Sequence, residues 1–147
     1  MKPHNNGQWT SARLHSFVKG ALRGACSKWG PIGLCKKRAR VRRGFYKCAG
    51  CKLEVAATLP AVYQSGKKKG QPYRRKNAIV DHIAPIVPAS GFTSWDSVVE
   101  RMFCEVDNLQ VLCHECHQLK CAEERKERND AKNHAEVDAG KMIRRMK

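Results

Sequence analysis

Apolar residues recur at helical spacing near the start of the chain. Leu14, Phe17, Val18, Ala21, Leu22, Ala25 and Trp29 keep a 3.6-residue period, while Arg13, Lys19, Arg23 and Lys28 fall largely on the other side. The pattern predicts an amphipathic helix over residues 11–29, capped by Thr10 or Ser11 and stopped by Gly30-Pro31. Gly20 and Gly24 weaken it by about 1 kcal/mol each relative to Ala. The mildly apolar stretch 53–63 predicts one strand of a hairpin, with residues 65–72 as its flexible basic tip. Ala78-Ile79-Val80-Asp81-His82-Ile83 is rich in β-branched residues and predicts a strand, and Pro85 and Pro88 end regular pairing after it. Thr93 stands three residues before Asp96, a spacing like that of a capping box. A helix from Ser94 to Phe103 is expected to bury Val98, Val99, Met102 and Trp95. Leu109, Val111 and Leu112 belong to the expected core. From His117 to about Ala139 the chain favours helix, with a thin apolar stripe of Leu119, Ala122 and alanines 131, 135 and 139. Its first half is expected to pack on the domain, and its second half to project or meet a partner.

Charge changes this picture. The 147 residues carry a formal net charge of +16, unevenly spread: residues 1–53 hold thirteen Lys/Arg and no Asp or Glu. So large an excess on a short chain favours a polyanionic partner, and nucleic acid is the first candidate. An anionic membrane surface fits less well, because the cations are spread along the chain rather than gathered on one helix. No apolar run approaches a bilayer-spanning length, and residues 1–7 do not resemble the start of a signal peptide. The expected setting is therefore cytoplasmic. The run Lys36-Lys37-Arg38-Ala39-Arg40-Val41-Arg42-Arg43 predicts a short helix ending at Gly44. With no acid nearby, its cations Lys36, Lys37, Arg38, Arg40, Arg42 and Arg43 are candidates for phosphate contact. Arg74, Arg75 and Lys76 are further candidates, just ahead of the strand.

The chain has eight cysteines, and four form two Cys-x-x-Cys pairs, Cys48/Cys51 and Cys113/Cys116. One such pair is weak evidence and is equally compatible with redox chemistry. Two pairs with 61 residues between them predict a tetrahedral zinc site of four thiolates that closes a long loop. Apparent zinc binding in small fingers is on the order of 10–16 kcal/mol, much of it folding energy. Cys26, Cys35, Cys104 and Cys121 lack close partners and are expected to be buried or incidental thiols. Cys104 and His114 are the nearest substitute ligands. His4, His15 and His134 carry no supporting pattern and are expected on the surface.

Between and beside the two pairs stand Asp81-His82, Asn108 and His117. These are residue types that bind a hard cation and move a proton. Spacing alone leaves a metal or catalytic role open against a satisfied structural one.

Asp81-His82-Ile83-x-Pro85, then Asp107-Asn108-Leu109-Gln110-Val111-Leu112-Cys113, then Cys116-His117-x-x-Lys120 resembles the HNH nuclease family, in its branch with a four-cysteine zinc site. The likeness spans about Tyr46 to Glu124. It implies an α+β fold whose ββα-metal core, over residues 45–124, is stapled by the zinc site. Outside the likeness, the residues themselves suggest a basic helical DNA-binding extension over 1–44 and a charged C-terminal helix and basic tail over 125–147. The likeness implies His82 as general base, Asn108 as the residue that orders the adjoining loop and orients the base, and His117 and Asp81 as ligands of a catalytic divalent cation. That cation is expected to be magnesium or manganese, with nickel or cobalt as substitutes suited to an imidazole ligand. The implied activity is hydrolysis of DNA phosphodiester bonds, by nicking or double-strand cleavage, to 5′-phosphate and 3′-hydroxyl ends. The resemblance is to small endonucleases of bacteriophages or mobile introns, acting in a host cytoplasm as monomer or homodimer. A non-catalytic zinc-containing nucleic-acid binding module accounts for the charge and cysteines but leaves Asp81-His82 without a role.

Overall fold

Thr10 starts the first helix as its composition suggests: the Thr10 hydroxyl accepts from the Arg13 backbone N–H at 3.3 Å, and α1 runs over Ser11–Cys26. The computed structural model describes residues 4–145, with backbone alone from residue 138. Gly30-Pro31 does not simply stop a helix. It opens a second one, α2 (Gly30–Ala39), because proline lacks the N–H that a first helical turn leaves unpaired anyway. Trp29 is consequently the residue before α2 and not the end of α1's apolar stripe. Its indole N–H donates to the Cys104 carbonyl at 2.9 Å, and its ring meets Phe103 edge-on.

The basic run expected as one helix is split. Lys36, Lys37 and Arg38 end α2, whereas Arg40–Arg42 form β1, which pairs antiparallel with β2 (Phe45–Lys47). Gly44, at φ +79°, makes the turn between them. The boundary drawn at residue 44 thus falls inside a hairpin. β2 also pairs with β3 (Glu54–Ala56), completing a three-stranded antiparallel sheet. Stretch 53–63 divides at Ala57, whose carbonyl accepts from the N–H groups of both Asn77 and Ala78. Beyond it, β4 (Thr58–Val62) forms a hairpin, as expected of that stretch, but its partner is β5 (Pro72–Lys76), so Arg74, Arg75 and Lys76 lie within a strand and not only ahead of one.

β6 (Ile79–His82) pairs antiparallel with β7 (Leu109–Leu112), His82 opposite Leu109 and Asp81 opposite Gln110. Between them lies α3 (Trp95–Met102). Its cap is Ser94, not Thr93: Ser94 is extended and its hydroxyl accepts from the Ser97 N–H at 3.2 Å. Val98 and Met102 are buried as expected. Val99, expected inside, is 39% exposed, since a neighbouring helical position lies about 100° around the axis. The last helix, α4 (His114–Arg145), begins inside the second cysteine pair, three residues before the expected start. Of the expected basic tail, residues 146–147 lie outside the described part.

Leu109 and Val111 of β7 pack with Ala78 and with Cys35 of α2. Val98 and Met102 of α3 pack with Cys26 of α1, whose thiol donates to the Met102 carbonyl at 3.3 Å. Cys48, Leu112 and Cys113 form a third cluster. Cys26 and Cys35 are therefore buried thiols, as expected, and they bind the N-terminal helices to the rest of the chain. The molecule is a mixed α+β assembly of helices and small antiparallel sheets around these clusters.

Candidate metal centre and adjoining cleft

The β2–β3 connection and the β7–α4 junction bring the two cysteine pairs together. The Sγ atoms of Cys48, Cys51, Cys113 and Cys116 all lie within 4.8 Å of one another. Four sulfurs at zinc–thiolate bond length stand roughly 3.8 Å apart in a tetrahedron, so the donor set and spacing fit a metal such as zinc. Local backbone explains the convergence. Cys48 N–H donates to the Leu53 carbonyl, Lys52 N–H donates to the Cys48 carbonyl, and Lys52 takes a left-handed φ of +63° to close the knuckle. Cys113 N–H donates to Cys48 Sγ at 3.2 Å, and Cys116 N–H points to Cys113 Sγ at 3.4 Å. Gly50 is required here: a Cβ on it would come within 2.9 Å of Cys116 Sγ.

The electrostatics of the cluster are uneven. Burial works to raise the Cys48 thiol, but backbone N–H groups of Cys113, Cys51 and Gly50 pull it down to about 6. Cys116 is pushed up to about 12, chiefly by its interaction with Cys113 and by burial. Sulfurs this close cannot all ionise without a cation between them.

Beside this centre, Asp81 and His117 are brought together. His117 Nε2 lies 3.8 Å from Asp81 Oδ1, a span one cation with ligand distances of about 2.1 Å can bridge. Lys120, one turn further along α4, places its ammonium 3.0 Å from Asp81 Oδ2, donates to the His82 carbonyl at 2.8 Å, and pairs with Glu124. Burial opposes the charge on Lys120, but its bonds to Glu124 and Asp81 prevail and raise its pKa. Gln110 also donates to Asp81 Oδ2, at 3.3 Å.

His82 Nε2 lies 3.0 Å from the Met102 carbonyl. A carbonyl only accepts, so Nε2 carries the proton and Nδ1 is the basic nitrogen. Asn108, the residue expected to orient this ring, makes no hydrogen bond to it among the described residues. Asn108 instead clamps the exit of β6: its Oδ1 accepts from Ala84 N–H at 2.9 Å and its backbone carbonyl accepts from Ile83 N–H at 2.9 Å. The carbonyl that holds the His82 ring belongs to Met102, at the end of α3.

Asp81 and His82 both line a cleft of about 390 Å³ between α1 and α4. Lys19 and Arg23 of α1 and Arg128 of α4 supply its cationic walls. None of the three was singled out from the sequence as a contact. The signal for Lys19 and Arg23 was their i, i+4 spacing on the polar face of α1. His117 does not line this cleft. It faces a second hollow on α4 with His114 and Cys121, whose Sγ is 3.6 Å from His117 Nε2. Asp81 is thus the residue shared between the two histidines.

The expected phosphate contacts are distributed elsewhere. Arg38 pairs with Asp107, and Arg42 pairs with Glu54 while lying over the Phe45 ring. The basic run therefore has acidic partners from later in the chain. Lys36, Lys37, Arg40 and Arg43 are exposed. Arg74 is held by Thr58, and none of Arg74, Arg75 and Lys76 lines the cleft. His15 is exposed, as expected, with its ring beside those of Phe92 and Trp95.

No helix among the described residues is long and apolar enough to cross a membrane. No model of a known protein family matches the chain, and neither the curated proteins nor the solved structures contain a match.

Proposed function

We propose that this chain is a metal-dependent endonuclease of the HNH type, in which β6, β7 and the start of α4 serve as the ββα-metal core and the four cysteines hold structural zinc. The observation that carries this reading is the placement of Asp81. It lies within ion-bridging distance of His117 and shares a cation-walled cleft with His82, whose ring is fixed by the Met102 carbonyl.

The residues present suit phosphodiester hydrolysis. His82 Nδ1 takes a proton from a water in line with the scissile phosphate, its ring oriented by the Nε2 hydrogen bond to the Met102 carbonyl. Asp81 and His117 would hold magnesium or manganese, which supplies charge neutralisation at the phosphate and the leaving 3′-oxygen. Lys19, Arg23 and Arg128 draw the polyanionic backbone to the cleft and add no sequence information. The products are a 5′-phosphate and a 3′-hydroxyl. Incubation with supercoiled plasmid and magnesium or manganese is expected to yield open-circular or linear DNA. Absence of cutting with any divalent cation, nickel and cobalt included, would overturn the proposal.

One observation favours a second reading, a zinc-containing nucleic-acid binding module without catalysis. The Lys120 ammonium already neutralises Asp81, as a purely structural carboxylate would require. Tight DNA binding that no divalent cation converts into cleavage is the outcome that selects it.

A further inference from the structure

The β4–β5 hairpin stands apart from the other sheets. Among the described residues neither strand pairs with any strand but its partner. Over residues 58–76 it carries Lys67, Lys68, Lys69, Arg74, Arg75 and Lys76 and no acid. The ribbon is stiffened along its length. Tyr63 and Tyr73 stack with ring centroids 4.4 Å apart, Lys68 lies over the Tyr63 ring, and Arg74 braces Thr58 across the strands. Its root is fixed as well. Asn77, 7% exposed, donates from its side chain to the Ala56 carbonyl and accepts from the His114 N–H at the start of α4.

We propose that this ribbon enters the major groove of duplex DNA and makes the chain a duplex-selective binder, a reading that rests on the endonuclease proposal for its placement beside a cut. The major groove of B-form DNA admits a two-stranded β-ribbon, whereas the A-form groove of duplex RNA is too narrow for side chains to read. Six cations without a balancing acid match the phosphates that border the groove. Five chain steps, through a bend at Ala78 and then β6, lead from Asn77 to His82, a span of at most roughly 17 Å. That is about half the duplex repeat of 34–36 Å. The ribbon and the cleft can therefore meet neighbouring stretches of one duplex. A single strand offers the ribbon no groove.

The test uses the full chain carrying His82→Ala, so that no substrate is consumed. It compares this protein with the same protein further carrying Lys67→Gln, Lys68→Gln and Lys69→Gln. Fluorescence anisotropy measures affinity for a duplex DNA of about 20 base pairs, its single strand, and the duplex RNA of the same sequence, each over a salt series. The triple change lies in an exposed loop, and zinc content confirms that the fold is intact. The expected result is a loss on the order of tenfold on duplex DNA, with the salt slope smaller by about 2.7 for three lost phosphate contacts. Single-strand and duplex RNA affinities should change less than twofold. Equal losses on all three nucleic acids, or no loss on duplex DNA, overturn the ribbon's role. Plasmid cleavage by the unsubstituted chain is scored separately. If that chain cuts nothing but the duplex-specific loss persists, the nuclease reading falls and the ribbon stands. If it cuts and the loss is absent, the reverse holds.

Discussion

The ammonium of Lys120 lies 3.0 Å from Asp81 Oδ2 and bonds at the same time to the backbone carbonyl of His82. One side chain of α4 therefore ties down both residues at the end of β6 that face the cleft. It also pairs with Glu124, so it stands between two carboxylates in a half-buried site. Replacing Lys120 with Met should leave those carboxylates uncompensated. A loss of about 1–2 kcal/mol is expected, reduced from the value for a fully buried pair by solvent screening. Urea denaturation with zinc bound measures it, and a midpoint unchanged from the parent would contradict the assigned role.

The His82 ring is held by a backbone carbonyl and has no other hydrogen-bond partner among the described residues. His82→Ala should lower plasmid cleavage by at least about 10²-fold. Zinc content and duplex affinity should stay close to the parent. Cutting at the parent rate would remove His82 as the base.

Asn108 acts through its side-chain oxygen on Ala84 N–H. Asn108→Ala should cost about 1 kcal/mol, the usual net value of one hydrogen bond, and slow cleavage by loosening the segment after β6. Asn108→Asp keeps the acceptor and should recover most of the stability. A pair of variants equally destabilised in thermal melts would show that the oxygen is not the active feature.

Gly50 leaves no room for a methyl group beside Cys116. Gly50→Ala should weaken metal retention at the four-cysteine site, read as faster zinc release to a colorimetric chelator. Gly66→Ala serves as the comparison, since a Cβ there meets nothing within 4 Å, although its φ of +75° makes it locally strained. Zinc release at the same rate from both would argue against the close approach.

Metal removal tests how much of the fold's stability rests on the four-cysteine site. Cys48 is fully buried, and Leu112 and Cys113 pack against it. Strong chelation, or Cys48→Ser, should collapse the cooperative thermal transition, because binding on the order of 10 kcal/mol rivals the net stability of a whole domain. One zinc per chain by elemental analysis is the accompanying expectation. A melt indifferent to chelator would leave the cysteines without a metal.

Elements with a strong local signal were legible from the residues. The β-branched run of β6, the apolar β7 and the two cysteine pairs lie close to where periodicity and spacing put them. Elements decided by one residue were not. Gly30-Pro31 serves a helix end and a helix start equally well, and only the packing of Cys35 against Leu109 and Val111 selects the start. Ser94 and Thr93 are both competent caps. The extended backbone at Ser94 chooses between them.

The chain's own order of residues thus determined its α+β character, its cationic excess and the four-thiolate set, since composition, period and ligand spacing are local properties. Tertiary structure alone decided the rest. Lys19, Arg23 and Arg128 become neighbours of Asp81 only when α1 and α4 close over β6. The carbonyl that holds His82 comes from Met102, twenty residues further along the chain. The acids that meet Arg38 and Arg42 lie 69 and 12 residues away. Contacts across such separations arise from chain closure, and no pattern in the adjacent residues encodes them.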